Sequence, residues 1–359
     1  MDRRKFLKDS AAAAAAGMAM TFPSFEGKAF NSDGKAGTGK DAPGMDVACD
    51  LKFRKDGKFK VLQLTDTHYI WVDPRSDRAL ENVCAVLDYE KPDFVIHTGD
   101  IVFGTPAEKS ARAILQPLVD RGIPFAVAMG NHDSDFDLTR TEMYKVLRSV
   151  KGNVNTPDDK GISGCSNDVL TLSGPEGIER VFYLLDSGNR AEFGGVKSWG
   201  YVHSDQIAWY RAHSAAFAKS AGKPVPALAF FHIPVPEFFD ALADKGKVMR
   251  GNIGEHPGAP VFNSGLYLAM REMGDVQAIV SGHDHNNDYV MLWQGFFQIY
   301  GRFSGCDTVY NDLKPNGARV FEFTRGDDGF RTWIRLCDGS VEQDLYLYPG
   351  MKNLSSPRG

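Results

Sequence analysis

The chain has 359 residues, of which 43% are hydrophobic and 11% aromatic, and its formal net charge is −5. This composition is that of a globular protein, and the length is compatible with one large domain or two small ones. The weak negative charge, without clustered basic residues, argues against a nucleic-acid-binding module.

The N-terminus has the pattern of an export signal. Arg3 and Arg4 open a short basic segment, and an alanine-rich apolar run covers residues 11–20. A basic start, a short apolar run and small residues after it are typical of a signal peptide, and the paired arginines are typical of the twin-arginine type. Cleavage could follow Ala19 or Ala29. The prediction is an exported bacterial protein, periplasmic or extracellular, with the twin-arginine export machinery as a partner.

The rest of the chain divides into a leader and a folded part. We assign residues 1–29 to the signal peptide and leader, residues 30–50 to a flexible leader rich in Gly, Ser, Lys and Asp, and residues 51–348 to a single domain. No later segment is long and apolar enough for a stable membrane span. The five cysteines are scattered and odd in number, so we expect thiols and not a fully paired set of disulfides.

Short apolar runs alternate with segments of helical spacing in the first half of this domain. The predicted strands cover residues 59–64, 93–97 and 124–129. The predicted helices cover residues 78–87 and 105–120, the second with Thr105 as its cap. Alternating strands and helices predict right-handed crossovers and a largely parallel sheet.

The second half continues with strands and helices and ends in a strand-rich tail. Predicted strands cover residues 169–172, 181–185, 226–231 and 276–280, predicted helices cover 204–218 and 263–273, and the tail covers 289–348. The fold class that follows is α/β.

Polar clusters follow five of the predicted strands. They are Asp66-Thr-His68, Gly99-Asp100, Gly130-Asn-His-Asp133, His232 and Gly282-His-Asp-His285. The carboxyl ends of parallel strands lie along one edge of a sheet, where α/β proteins bind ligands, so these clusters are predicted to converge in one cleft. Carboxylates mixed with imidazoles suit Fe, Mn or Zn, whereas calcium prefers oxygen ligands alone.

The five clusters, in this order, resemble the motifs of the calcineurin-like metallophosphoesterase superfamily over roughly residues 57–325. The segments Val61–Tyr69, Thr98–Gly104 and Leu184–Gly188 are most similar to a purple-acid-phosphatase-like subgroup that carries D-x-H in place of D-x-x-Y. His68 then stands in the ligand position, and Tyr69 is not expected to bind metal.

The resemblance implies a fold, a cofactor and a ligand set. The fold is a four-layer αββα sandwich of two mixed sheets flanked by helices, whose second sheet the strand-rich tail completes. The cofactor is a pair of divalent or trivalent ions of Fe, Mn or Zn. The implied ligands are Asp66, His68 and His285 for one ion, Asn131, His232 and His283 for the other, and Asp100 as the bridge.

The resemblance also implies roles around the metal pair. His132 would face the substrate, where it stabilises the phosphate or protonates the leaving group, and Asp133 would orient its ring. Asn189, His256 and Arg302 are candidates for substrate contact.

The activity implied is hydrolysis of a small-molecule phosphate monoester by a metal-bridging hydroxide. A phosphodiesterase acting on a nucleotide or another diester with the same metal centre is the alternative. A non-catalytic metal-binding member of the superfamily is a further alternative from another class.

Overall fold

The computed structural model describes residues 46–354. The predicted signal peptide of residues 1–29 and most of the predicted flexible leader lie outside the described residues. Between residues 46 and 354, no helix combines the length and the apolarity needed to cross a membrane. All five cysteines lie in this range, and none of them forms a disulfide bond.

Residues 46–354 form sixteen strands and six α-helices. The strands are β1 (Cys49–Lys52), β2 (Lys58–Leu64), β3 (Phe94–His97), β4 (Phe125–Val127), β5 (Asp168–Gly174), β6 (Gly177–Leu184), β7 (Arg190–Phe193), β8 (Val196–Trp199), β9 (Ala227–Phe230), β10 (Val248–Arg250), β11 (Val276–Ser281), β12 (Val290–Trp293), β13 (Phe296–Tyr300), β14 (Gly317–Thr324), β15 (Phe330–Leu336) and β16 (Val341–Leu347). The helices are α1 (Pro74–Glu90), α2 (Ala107–Arg121), α3 (Arg140–Ser149), α4 (Ser204–Ala221), α5 (Glu237–Ala243) and α6 (Leu266–Met273).

Two mixed sheets form the centre of the domain. The eight-stranded sheet has the order β1-β5-β6-β9-β11-β13-β12-β10, and the six-stranded sheet has the order β16-β15-β14-β2-β3-β4. Strands β2, β3 and β4 are parallel to one another, as are β6, β9, β11 and β13. Strands β7 and β8 form a separate hairpin. The predicted crossover order therefore produces a parallel centre in each sheet.

Both faces of the central strands are buried. In β3, Phe94 and Ile96 face the other sheet, whereas Val95 faces the helices, as the two-residue period of a strand requires. One apolar cluster lies between the sheets, a second packs the six-stranded sheet against α1, α2 and α3, and a third packs the eight-stranded sheet against α4, α5 and α6. These layers confirm the four-layer αββα architecture.

The strand-rich tail was wrongly predicted to complete one sheet. Strands β12 and β13 belong to the eight-stranded sheet, but β14 pairs with β2, and β15 and β16 extend the six-stranded sheet. The tail therefore supplies strands to both sheets, and it is the antiparallel pairing of β14 with β2 that ties it to the start of the domain.

The predicted boundaries also need correction. Residues 49 and 50 were placed in the flexible leader, but they lie in β1, which pairs in parallel with β5. At the other end, Met351 and Leu354 are buried in the cluster between the sheets, so the folded part extends beyond residue 348. The helix predicted to be capped by Thr105 begins at Ala107, with Pro106 in the capping position and without a side-chain cap.

Candidate metal centre

Seven potential ligand side chains follow the carboxyl ends of five strands. Asp66 and His68 follow β2, and the others follow β3, β4, β9 and β11; they are Asp100, Asn131, His232, His283 and His285. Each of the seven is buried, and five of them (Asp66, His68, Asp100, Asn131 and His232) have at most 1% of their surface exposed. The prediction that these side chains converge is met: every one lies within one compact cluster at the edge shared by the two sheets.

The first group of ligand atoms comes from Asp66, His68 and His285, whose donor atoms lie within 4.8 Å of one another. The Nε2 atoms of His68 and His285 are 3.0 Å apart. The Asp66 Oδ1 atom lies 3.9 Å from His68 Nε2 and 3.8 Å from His285 Nε2. Ligands at 2.0–2.2 Å from a common ion have mutual distances of roughly this size.

The second group comes from Asp100, His232 and His283, with Asn131 beside it. His232 Nε2 lies 3.2 Å from Asp100 Oδ2, 3.3 Å from His283 Nδ1 and 3.0 Å from Asn131 Oδ1. Asn131 thus offers a neutral oxygen to the same point that the two imidazoles face.

Asp100 lies between the two groups. Its Oδ2 atom is 3.2 Å from His232 Nε2 in the second group and 3.6 Å from His68 Nε2 in the first. Its Oδ1 atom accepts a hydrogen bond from the backbone N–H of His132 at 2.7 Å, which fixes the carboxylate in this orientation. This is the placement that a bridging carboxylate needs.

The residues present fit a pair of transition-metal ions. Imidazole nitrogens that face one another at 3.0 and 3.3 Å leave unused lone pairs directed at shared points. A set of carboxylate, amide and imidazole donors suits Fe, Mn or Zn.

Contacts outside the ligand set orient the imidazoles. His232 donates from Nδ1 to the Thr98 carbonyl oxygen at 2.7 Å, and His285 donates from Nδ1 to the Tyr310 carbonyl oxygen at 2.8 Å. Each bond leaves Nε2 as the ligand atom and holds the plane of the ring. The Thr65 hydroxyl donates to Asp66 Oδ2 at 2.6 Å and supports that carboxylate in the same way.

Four ligand residues have left-handed backbone conformations. The φ angles are 55° for Asp66, 44° for His68, 52° for Asp100 and 78° for His283. Such conformations are uncommon for residues with a side chain, cost of order 1–3 kcal/mol each and concentrate at functional sites. The surrounding strands therefore hold these residues in positions that the isolated loops would not adopt.

Burial and charge set the protonation of the cluster. Burial lowers the pKa of His68 and His283 well below the ordinary value and that of His285 to about 4, so these rings are neutral, as ligands must be. Burial also opposes ionisation of Asp100, but the imidazoles of His232, His68 and His132 together outweigh it and hold the pKa of Asp100 well below its usual range. For His232, burial is outweighed by the carboxylates of Asp100 and Asp66 and by the Thr98 carbonyl oxygen, which raise the pKa of that imidazole to about 9, so an ion binding at its Nε2 atom would displace a proton.

His132 lies at the mouth of the cluster, where its side chain is 26% exposed. Its Nδ1 atom donates to Asp135 Oδ2 at 2.8 Å, so the prediction that Asp133 orients this ring is wrong. Asp133 instead accepts backbone N–H groups of the neighbouring loops, at 2.8 Å from Gly130 and 2.7 Å from Ile101. It is fully buried and faces away from the ring because those backbone donors surround it.

A buried ion pair supports the loop that carries Asn131 and His132. The Arg140 guanidinium donates to the carbonyl oxygen of Gly130 at 2.8 Å and to the Asp186 carboxylate at 3.0 Å. Asp186 in turn accepts the backbone N–H of Gly188 at 2.8 Å. The next residue, Asn189, donates from Nδ2 to Asp135 Oδ1 at 2.8 Å. Asn189 thus reaches the centre through Asp135 and His132.

Of the two other residues predicted to contact substrate, Arg302 is enclosed in the protein, whereas His256 is exposed on a loop beside the centre. Arg302 is 1% exposed, donates to the Pro315 carbonyl oxygen at 2.7 Å and pairs with the buried Asp288. The prediction for Arg302 is therefore wrong: its charge is neutralised inside the protein. His256 is exposed on the loop before Gly258, whose Cα lies against the His283 ring.

Tyr69 does not join the ligand groups, in agreement with the expectation. It lies in the apolar cluster between the six-stranded sheet and its helices. The neighbouring His97 is buried, and its Nδ1 atom accepts the backbone N–H of Gly99 at 3.2 Å, so it supports the Gly99-Asp100 turn without being a ligand.

The fold and the paired ligand groups define an α/β protein with a candidate centre for two metal ions. The family profile described as calcineurin-like phosphoesterase matches residues 59–287. The chain therefore belongs to the calcineurin-like phosphoesterase family.

Relatives and solved structures agree with this family. "Probable inactive purple acid phosphatase 14" of Arabidopsis thaliana is 32% identical over 334 residues, which cover 82% of this chain and 79% of that protein. "Phosphatase DCR2" of Saccharomyces cerevisiae is 25% identical over 86% of this chain and 58% of that protein. A dimetal phosphatase from Danio rerio superimposes with a TM-score of 0.55 at 15% identity, covering 81% of this chain and 99% of that one, which shows the shared fold.

Proposed function

We propose that this protein hydrolyses phosphate monoesters at a two-metal centre held by the two ligand groups. The observation that carries the proposal is the position of Asp100, whose Oδ2 atom faces His68 of one group and His232 of the other. A carboxylate shared by two triads of ligands is the arrangement that holds two ions close enough to act on one phosphate.

The seven ligand residues would hold the two ions. Asp66, His68 and His285 would bind one ion, and the second group with Asn131 would bind the other. When bound, the ions would supply Lewis acidity toward the phosphate oxygens and acidify a water molecule. The ligands are buried and the His132 side chain beside them is 26% exposed, so the substrate would approach the centre at the mouth beside His132.

His132 is placed to act on the substrate. Its Nδ1 proton is held by Asp135, so Nε2 is the atom that faces outward to stabilise the phosphate or to give a proton to the leaving oxygen. Asn189 holds Asp135 from its other oxygen, so the ring has a fixed orientation when the ester arrives. Phe103, whose ring is 5.0 Å from that of His132 and edge-on to it, packs against the other side.

A non-catalytic role has one observation in its favour, the words "probable inactive" in the names of three Arabidopsis relatives. Against it, this chain has both the bridging carboxylate Asp100 and an imidazole at the mouth, His132, in positions suited to turnover. The two candidates differ in one measurable property, which is hydrolysis by the metal-loaded protein.

The test compares p-nitrophenyl phosphate with bis-p-nitrophenyl phosphate after reconstitution with Mn, Fe or Zn. We expect turnover of the monoester in excess of the diester, and loss of activity by at least about 10³-fold in Asp100→Asn. Asp240→Asn, an exposed carboxylate on α5, is the matched control and should keep the wild-type rate. Two bound ions without turnover of either ester would favour the non-catalytic role, and faster turnover of the diester would favour a phosphodiesterase.

We further propose that residues 1–29 direct export by the twin-arginine route, on the strength of Arg3, Arg4 and the alanine-rich run that follows. The test is fractionation of bacteria that express the full chain, with an Arg3→Lys, Arg4→Lys variant beside it. Retention of the variant in the cytoplasm with export of the parent supports the route, and equal distribution of the two contradicts it.

A further inference from the structure

A groove of about 650 Å³ lies beside the candidate metal centre and is not used by the chemistry described above. It is lined by the hairpin of β7 and β8 and by the loop of residues 259–261: Arg190, Ala191, Glu192, Lys197, Ser198, Trp199, Ala259 and Val261. Its volume falls within the range of small-molecule sites, roughly 300–1,000 Å³.

The groove shares a wall with the metal centre. The Trp199 ring lies 4.6 Å from the ring of His283, at an interplanar angle of 84°. On the other side, the base of the hairpin is tied to His132 through Asn189 and Asp135. A substrate whose phosphate reached the centre beside His132 would therefore extend its leaving group along the hairpin.

The walls are held in place by contacts between the hairpin and the loop. The backbone N–H of Val261 donates to the Ser198 hydroxyl at 2.9 Å. At the hairpin tip, the ring of Phe193 is 6.3 Å from that of Phe262, which in turn is 5.9 Å from Tyr201. The two-residue turn Gly194-Gly195 has positive φ at both positions, as tight hairpins favour. The groove is therefore a built surface between two linked segments.

The apolar side chains of the groove suit a flat, hydrophobic group. Val261 of the lining is 69% exposed, and Phe193, at the hairpin tip outside the lining, is 78% exposed, so large apolar side chains face solvent in the groove and beside it. Contiguous exposed apolar surface often marks a binding site, whereas apolar residues scattered singly over a surface do not.

The charges of the groove favour an anion at its inner end. Arg190 and Trp199 are paired residues of β7 and β8. The Arg190 guanidinium lies over the Trp199 ring, 4.7 Å from its centre. Within residues 46–354, neither Arg190 nor Lys197 forms a salt bridge. The one carboxylate of the lining, Glu192, faces Lys197 across the hairpin toward the tip. Arg190 is thus an oriented cation close to the centre with no acidic partner.

We propose that this groove binds the leaving group of the substrate, and that the leaving group combines a flat apolar body with an anionic substituent, a carboxylate or a second phosphoryl group. The apolar body would lie against Trp199 and Val261, and the anion would pair with Arg190. This inference rests on the proposed function and adds the class of substrate to it.

The experiment compares three esters of phenols that differ in the para substituent: phenyl phosphate, which has no second anion, and 4-carboxyphenyl phosphate and 4-phosphonophenyl phosphate, which have one. Arg190→Gln should lower kcat/KM for the two anionic esters about tenfold relative to phenyl phosphate, the size of one charge-assisted contact. Glu192→Gln, the matched variant of opposite charge, should leave that ratio unchanged or raise it. Comparing this ratio between the wild type and each variant cancels the intrinsic reactivity of the esters.

A uniform loss on all three esters in Arg190→Gln, or no loss on any, would overturn the proposal. A larger loss for the phosphonate than for the carboxylate would identify the anion as phosphoryl, and the reverse would identify it as carboxylate. Failure of the proposed function would show separately, as no turnover of phenyl phosphate by the wild type. The groove is then tested by calorimetry with 4-carboxyphenyl phosphate, where equal Kd values for wild type and Arg190→Gln would overturn it.

Discussion

The Nδ1 atom of His132 lies 2.8 Å from a carboxylate oxygen of Asp135, three residues further along the chain. A short 3₁₀ turn over His132–Ser134 makes this contact possible, because residues three apart lie on one side of such a turn. Asp135 therefore acts as a positioning residue: it sets the tautomer and direction of the ring that faces the substrate.

Asp135→Asn is expected to lower kcat by about tenfold or more for phenyl phosphate and by less for p-nitrophenyl phosphate. The poorer leaving group depends more on the proton that His132 gives, so it loses more when the ring is no longer held. Asp137→Asn, an exposed carboxylate two residues away that contacts the start of α2, is the control. Equal losses for both esters would assign Asp135 to structure and not to proton transfer.

Removal of metal should lower the melting temperature as well as the activity. The cluster buries two carboxylates and four imidazoles, and ions bound only by the folded state stabilise it by about 3–4 kcal/mol at 10²–10³ times the Kd. We expect a fall of several degrees when the loaded protein is treated with a chelator, measured by calorimetry. Asp100→Asn should show little further change on chelation, and an unchanged melting temperature in the wild type would contradict the metal assignment.

Glu90 should make stability depend on pH in the acid range. Its carboxylate is buried, but hydrogen bonds from Trp333 at 2.9 Å, Lys60 at 2.9 Å and Arg335 at 2.6 Å outweigh burial and lower its pKa below the ordinary 4.5. A carboxylate with a lowered pKa contributes stability above its unfolded pKa, and this contribution is lost as the pH falls through the folded value.

The corresponding variant is Glu90→Gln, which should lower the free energy of unfolding by about 3 kcal/mol at pH 7. The difference from the wild type should begin to shrink below about pH 4.5, where Glu90 of the unfolded chain takes up a proton, and should shrink further as the pH falls through the lowered pKa of the folded state. Urea unfolding at pH 7 and pH 3.5 measures both values. Glu81→Gln, on the exposed side of α1, should leave the free energy of unfolding unchanged at both pH values. A difference between wild type and Glu90→Gln that does not vary with pH would contradict the ionised state assigned to Glu90.

Arg302 should matter for stability and not for substrate binding. Arg302→Met would remove the cation that pairs with the buried Asp288 carboxylate and leave it only the neutral donors of Asn252 and Gln343, at a cost of about 3 kcal/mol in the free energy of unfolding, with KM unchanged. Adding Asp288→Asn should recover part of the loss. Urea unfolding and steady-state kinetics at 25 °C separate the two effects, and a rise in KM with unchanged stability would restore the role first predicted for this arginine.

The ligand set was accessible from the sequence because each member follows an apolar strand. Asp66, Asp100 and His232 come directly or almost directly after β2, β3 and β9, so strand prediction placed them at the carboxyl ends of strands. It did not show that β9 belongs to a different sheet from β2 and β3. The αββα layers were predicted from the resemblance of these motifs to a known family.

The contacts that support the site could not be predicted from the sequence. Arg140 and Asp186 are 46 residues apart, and no local pattern marks them as a pair. The hairpin of β7 and β8 was missed because its outer residues are exposed on both faces and show no apolar alternation. Asp135 did have a signal, its spacing of three from His132, but the adjacent Asp133 competed for the same role.

The ligands divide between the two sheets. Asp66, His68, Asp100 and Asn131 follow strands of the six-stranded sheet, whereas the remaining three histidines follow β9 and β11 of the eight-stranded sheet. An ion bound by either group would therefore cross-link the two sheets, because each group contains ligands from both of them. Amide hydrogen exchange should then slow in both sheets together on metal loading, because neither sheet could separate from the other without releasing the ions.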